Sequence, residues 1–192
     1  QKTIPFKELK EHTHLWSAGT ELPENIAGFL NNLGYQSAPM VEDSGQYALR
    51  GGIIDIFSPA QTRPVRIELF GDQIESLRFF NPVDQRSQEE TSAVAVVPAR
   101  EILFRDDYHE ELLKTFRKTL EGRKIDKGES EEILRSLVLK NYFPGVEFLL
   151  PYFYKKLATA FDHFNSSLNI WLLDPLEISR HADEFVADLK QD

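Results

Sequence analysis

PVRIELFGDQIESLRFF, residues 64–80, has the pattern of a β-hairpin. Two runs rich in β-branched and aromatic residues flank the pair Gly71-Asp72, and glycine accepts the positive φ that a two-residue hairpin turn needs. Because such a turn sets the register, we expect these pairs across it: Phe70–Gln73, Leu69–Ile74, Glu68–Glu75 and Ile67–Ser76.

One side chain breaks the alternation of this hairpin. Successive residues of a strand point to opposite faces, which gives a core face of Val65, Ile67, Leu69 and Ile74. The opposite, polar face holds Arg66, Glu68, Phe70, Gln73 and Glu75. Aromatic and arginine side chains are enriched in protein interfaces, but single exposed apolar residues are also common. Phe70 therefore either contacts a partner or covers a gap at the sheet edge or under the first helix.

The composition limits the classes of function. The chain has 192 residues, enough for one ordinary domain or two small ones, and 41% hydrophobic residues predict a real core. A formal charge of −9 argues against a surface built for non-specific binding of nucleic-acid phosphates. The absence of cysteine excludes disulfides and thiolate chemistry. The start at Gln1, without methionine, suggests a piece of a longer protein.

The remaining patterns predict an α+β fold. Residues 22–36 are typical of a short amphipathic helix, and residues 45–59 and 91–99 of strands. We interpret the paired glycines at 51 and 52 as a bulge or a close backbone approach.

The second half has the periodicity of helices, in residues 106–122, 130–140 and 174–189. Asp107 and Glu110 could form a capping box for the first of these helices. In the last one, the inward positions would be Ile178, Ala182, Phe185, Val186 and Leu189. Residues 143–154 read as a packed loop with short helical turns, and NIWLLDP, residues 169–175, as a buried strand. The predicted architecture is a β-hairpin-rich mixed sheet module flanked by helices, followed by a mainly helical part with one buried strand.

Spacing alone indicates no catalytic or metal site. No glycine-rich phosphate loop and no Gly-x-Ser-x-Gly motif is present. His12 and His14 could share one face of a strand, but no third ligand lies near them in sequence. Asp174 ends an apolar run, as a magnesium-binding carboxylate of a nucleotide hydrolase does. Pro175 follows where a hydrolytic motif has glutamate, and a helix N-cap explains the same residues better.

Residues 30–87 closely resemble the UvrA-binding module shared by the excision-repair helicase UvrB and the Mfd family of transcription-repair coupling factors. The segments that carry this resemblance are LGY, GQYALRGGIIDIF, RPVRIELFGDQIESLRFF and PVDQRS. The RGG segment before RPVRIELF, together with FPGVEFLLPYFY downstream, favours the Mfd family. The resemblance implies that residues 1–10 lead out of a preceding domain and that residues 11–98 form a UvrA-binding module. Residues 99–192 would be a non-hydrolytic remnant of a helicase domain.

The resemblance also implies a function and a site. The family's UvrA-binding positions fall on Arg50, Arg66 and Phe70, which makes Phe70 an apolar anchor between two arginines. It implies a protein-interaction module that recruits UvrA to lesion-stalled RNA polymerase, with no catalytic activity and no cofactor or metal in this chain.

For the longer parent protein, the resemblance implies an ATP- and magnesium-dependent motor in the bacterial cytoplasm. Its other domains would contact DNA and RNA polymerase, and one of them would mask the UvrA-binding face. Two alternatives stay open: a UvrB-type ATP-dependent DNA helicase fragment, and a purely structural scaffold in which Phe70 is buried.

Overall fold

The computed structural model describes residues 2–121, 127–164, 167 and 169–188, without the side chains of residues 106 and 121. The strands are β1 (His14–Ser17), β2 (Gln36–Ser37), β3 (Gln46–Arg50), β4 (Ile53–Ile56), β5 (Val65–Phe70), β6 (Gln73–Phe80), β7 (Ser87–Glu90) and β8 (Ala93–Val96). The helices are α1 (Phe6–Glu11), α2 (Ile26–Asn32), α3 (Asp106–Glu121), α4 (Lys127–Val138), α5 (Leu150–Phe153) and α6 (Pro175–Asp188).

Strands β2 to β7 form one mixed sheet in sequence order. Only the short β2–β3 pair is parallel, and the other neighbours in this sheet are antiparallel hairpin partners. Strand β8 leaves this sheet and pairs with β1 in a separate two-stranded ribbon. The α+β class predicted from the sequence, with a mixed sheet followed by a helical part, is confirmed.

The β5–β6 hairpin confirms the predicted register only next to the turn. Phe70 pairs with Gln73 and Leu69 with Ile74, but an irregularity then shifts the pairing. Glu68 is opposite Ser76 rather than Glu75, and Ile67 is opposite Leu77 rather than Ser76. An extra residue in β6 causes this shift, as in a β-bulge. It returns Leu77 to the core face, where burial of its apolar side chain is favourable.

The hydrophobic core of the module lies on one side of the six-stranded sheet. Ile54, Val65, Ile67 and Leu77 from the sheet pack there against Leu30 of α2. Trp16, Val94 and Val96 add the side chains of the β1–β8 ribbon. The predicted core face of the hairpin is therefore correct, and α2 covers it.

The glycine pair between β3 and β4 forms a tight turn that touches β5. Gly51 has a φ of 59°, in the left-handed region. The Leu69 N–H donates to the Gly52 carbonyl at 2.8 Å, and a Cβ on Gly52 would lie 3.3 Å from the Leu69 carbonyl oxygen. The predicted close backbone approach is confirmed at Gly52.

A second hydrophobic cluster joins the chain start to the helical half. Ile4 packs there with residues 102–104, with α3 and α4, and with the short helical turns of residues 146–153. These turns match the prediction for residues 143–154. Asp107, predicted to cap α3, is instead inside it, because the helix begins at Asp106.

The predicted buried strand at residues 169–175 is wrong. Residues 169–174 form no strand, and the side chain of Trp171 is 87% exposed. A strand needs hydrogen-bonding neighbours, and the described sheets place none beside this segment. The inward positions predicted for α6 are wrong for the same reason, because nothing packs on Ile178, Phe185 or Val186 deeply enough to bury them. Leu189, predicted with them, lies outside the described residues.

Among the described helices, none combines the length and the apolar character that crossing a lipid bilayer would require.

Candidate protein-interaction site

The outer face of the six-stranded sheet is the side opposite the module core, and it holds Arg50, Asp55, Arg66 and Phe70. Strand alternation places these residues together: their neighbours Leu49, Ile54, Ile67 and Leu69 point to the core side. All three sequence-predicted site residues thus share one face, although they come from β3 and β5.

Phe70 is the last residue of β5, and its side chain is 80% exposed. Gly71, with a φ of 62°, turns the chain directly after it. Strand β4 begins opposite Glu68 and does not extend beside Phe70, so only Gln73 of β6 lies opposite it. The interpretation in which Phe70 is buried as part of a structural scaffold is therefore wrong.

Arg66 is held flat against the sheet by a buried carboxylate. Its Nε and Nη2 donate to the two carboxylate oxygens of Asp55 at 2.7 and 2.9 Å, and Asp55 is only 1% exposed. The guanidinium also lies 4.9 Å from the centre of the Phe80 ring. The hydrogen bonds to Asp55 are the main cause that raises the pKa of Arg66 above its ordinary value. A guanidinium that is hydrogen-bonded to a carboxylate and stacked on an aromatic ring has little freedom to move.

Arg50 approaches the same carboxylate but stays accessible. Its Nη1 is 3.9 Å from Asp55 Oδ2, and its Nη2 donates to the Pro39 carbonyl oxygen. The Arg50 side chain is 46% exposed, compared with 17% for Arg66. Of the two predicted arginines, Arg50 therefore presents more of its charge to solvent.

Two loops cover one end of the outer face. Arg66 Nη1 donates to the Gln85 carbonyl at 3.2 Å, and Gln85 Nε2 donates to the Val41 carbonyl at 3.3 Å. Beneath them, Val41 and Phe80 are fully buried in a small cluster with Ala48. These contacts explain how a sheet face can carry a buried ion pair at its centre.

Sequence reasoning missed Asp55 and Gln85. The signal for Asp55 was available, because a single carboxylate interrupts the apolar run IIDI, and buried charges in proteins are usually paired. No local signal marks Gln85, since its contacts depend on the loop of residues 81–86 folding back over the sheet.

His12 and His14, considered as metal ligands from the sequence, make contacts within the protein instead. His14 packs its ring edge-on against Phe29 at 4.9 Å between centroids, and His12 Nδ1 lies 2.9 Å from the Glu8 carbonyl oxygen. Among the described residues, no cluster of three or more potential side-chain ligands could hold a metal ion.

Asp174 acts as the N-cap of α6. Its Oδ1 accepts a hydrogen bond from the Glu177 N–H at 3.2 Å, and Pro175 begins the helix. This agrees with the helix-cap interpretation. The Glu177 carboxylate accepts hydrogen bonds from Arg180, an arrangement of helix surface residues.

The sheet region is similar to a known domain family. Residues 16–102 match the model of the UvrB interaction domain. The matched segment runs from Trp16, within β1, to Ile102, beyond β8, and it includes all four outer-face residues, Arg50, Asp55, Arg66 and Phe70.

The whole chain is similar to one segment of transcription-repair-coupling factors. The protein of that name from Myxococcus xanthus is 36% identical over 100% of this chain and 16% of its own length. The Bacillus subtilis (strain 168) relative is 28% identical over 98% of this chain and 18% of its own. The Escherichia coli (strain K12) relative is 28% identical over 98% of this chain and 16% of its own.

The chain thus spans less than a fifth of the length of these curated relatives. The resemblance drawn from the sequence is confirmed, both for the UvrB interaction domain and for the transcription-repair-coupling relatives. The roles of Arg50, Arg66 and Phe70 and the division into residues 1–10, 11–98 and 99–192 stay predictions.

Proposed function

We propose that this chain is a protein-interaction module that binds UvrA through the outer face of its UvrB interaction domain. The observation that carries the proposal is the exposed Phe70 ring on the same face as Arg50 and Arg66. An aromatic anchor with nearby arginines is the composition of interface hot spots. In this arrangement Phe70 fills an apolar pocket of UvrA, and Arg50 meets a carboxylate beside it.

In the longer parent protein, the module recruits UvrA to RNA polymerase stalled at a lesion. The motor that uses ATP and magnesium, the contacts with DNA and polymerase, and the domain that masks the outer face belong to other parts of the parent. The chain itself contributes binding and no catalysis, which agrees with the use of Asp174 as a helix cap.

Calorimetric titration of the chain into purified UvrA tests this proposal. Phe70→Ala is expected to weaken binding by about 2 kcal/mol, roughly thirtyfold, as expected for a central anchor. Arg50→Ala is expected to have a smaller effect, because a charged contact that stays accessible to solvent contributes less than a buried aromatic anchor. Leu15→Ala is the matched control, since Leu15 is a large exposed apolar residue on the β1–β8 ribbon.

Two results contradict the proposal. If the unmodified chain does not bind UvrA, the module lacks the proposed partner. If Phe70→Ala and Leu15→Ala behave alike, the outer face is not the binding surface. A parallel measurement of binding to duplex DNA addresses the helicase alternative, which requires strong, salt-dependent retention.

A further inference from the structure

Asp55 is the centre of a polar network that ties both outer-face loops to the sheet. One branch runs from Asp55 through Arg66 to the Gln85 carbonyl, and Gln85 in turn donates to Val41. The other branch runs from Asp55 to Arg50, which donates to the Pro39 carbonyl. The loops of residues 38–42 and 81–86 are therefore both linked to one buried carboxylate.

The donors of Arg66 are largely used inside this network. A guanidinium has five N–H groups in a fixed fork. Arg66 directs two of them to Asp55 and its Nη1 to the Gln85 carbonyl and Ser87 Oγ. The side chain of Arg66 is also mostly buried, at 17% exposure. A partner carboxylate could reach it in a two-point geometry only by displacing Asp55 or the Nη1 contacts with Gln85 and Ser87.

We infer that Asp55 is a positioning residue for the outer face and that Arg66 acts through it, while Arg50 and Phe70 contact the partner. Asp55 holds Arg66, which holds the loop of residues 81–86 and its exposed Val83 side chain beside the sheet. The Arg50 guanidinium has Asp55 and the Pro39 carbonyl on its inner side, which leaves its outer side for the partner. This inference rests on the proposed UvrA-binding function and adds the division of roles within its site.

A double-mutant cycle separates positioning from direct contact. The variants are Asp55→Asn, Arg66→Gln and the double variant, which removes both charges and leaves none buried alone. Each is titrated into UvrA at a temperature where circular dichroism shows it folded. We expect each single variant to weaken binding by at least about tenfold, because each leaves one charge unpaired in the network that positions the face. The double variant is expected to bind no more weakly than the poorer single variant.

Glu90→Gln is the matched control for this cycle. Glu90 forms an ion pair with Arg78, which lies directly opposite Arg66 in the sheet, but this pair is exposed and does not reach the two loops. We expect Glu90→Gln to leave binding within about twofold of the unmodified chain, because exposed ion pairs contribute little.

A second measurement needs no partner. The Arg66 Nε–H is expected to give a hydrogen-bonded, slowly exchanging proton resonance that Asp55→Asn removes. The backbone amides of residues 81–87 are expected to lose exchange protection in the same variant, while those of β4 and β5 keep theirs. If UvrA binding fails altogether, the proposed function fails, and this measurement still decides whether Asp55 positions the face.

Two outcomes overturn the inference. Additive losses in the double variant mean that Arg66 contacts UvrA independently of Asp55. Unchanged protection of residues 81–87 in Asp55→Asn means that the loop does not depend on the carboxylate.

Discussion

The two faces of the six-stranded sheet are built by the same strands but hold their side chains by different forces. The core face packs Ile54, Val65 and Ile67 against α2, and its stability comes from removing apolar surface from water. The outer face has a buried Asp55–Arg66 pair at its centre and the exposed Phe70 ring at its end. Apolar packing tolerates many arrangements of similar volume, whereas a buried ion pair requires specific partners in a fixed geometry. The outer face is thus the part of the sheet where single polar changes matter most.

The largest expected effect is on the free energy of unfolding, and it distinguishes the core face from the outer face. Ile67→Ala removes a fully buried side chain from the core face and is expected to lower the free energy of unfolding by about 4 kcal/mol. Phe70→Ala, three residues along the same strand, is expected to change it by less than about 0.5 kcal/mol, since the ring is exposed. Urea denaturation measures both. A large loss of stability in Phe70→Ala would contradict the division between the faces.

The next effect lies within the outer face. Arg66→Ala leaves Asp55 buried with only the distant Arg50 as a counter-charge, and is expected to cost about 3 kcal/mol of stability. Arg50→Ala is the comparison variant and is expected to cost less than about 1 kcal/mol, because its contact with Asp55 is long and partly exposed. Thermal unfolding of the two variants side by side measures the difference. Equal costs would show that the two arginines are equivalent supports of Asp55.

A smaller effect concerns the backbone contact between the two hairpins. Gly52→Ala places a Cβ 3.3 Å from the Leu69 carbonyl oxygen, and the required shift is expected to cost about 1–2 kcal/mol. Gly51→Asn is the control, because a Cβ there meets nothing within 4 Å and asparagine tolerates the left-handed region. Urea denaturation compares the two. If Gly51→Asn proves the more harmful, the turn geometry rather than the approach to β5 limits this position.

The smallest expected effect is a pH dependence of stability at His14, which lies in β1 and not in the six-stranded sheet. Burial, with a contribution from His12, lowers the pKa of His14 below its ordinary value of about 6.5. The unfolded chain therefore binds more protons at His14 than the folded one, so stability is complete above that pH and falls as the pH drops through it. The His14→Gln variant is expected to show a slightly flatter stability profile between pH 7.5 and 5.5. An identical profile in the unmodified chain and the variant would contradict this effect.

Local patterns predicted the elements near the site well and the second half less well. Gly71-Asp72 and the alternating residues on each side indicated the hairpin, its turn and its core face, because these depend on neighbours in sequence. The bulge in β6 was missed because only packing of Leu77 reveals it. The apolar run at residues 169–173 was predicted as a buried strand, but apolar composition does not supply the neighbouring strand that burial requires.

The amino-acid sequence by itself determined the α+β class, the hairpin and the position of Phe70 on a polar face. These follow from periodicities of a few residues and from the conformational freedom of glycine. Only the tertiary structure decided that Arg66 is mostly covered while Arg50 is open, because both are arginines at strand positions facing the same side. Their difference comes from Asp55, from β4 between them, and from a loop that folds back some twenty residues later. Contacts between residues so far apart in sequence depend on how the strands assemble, which no local pattern specifies.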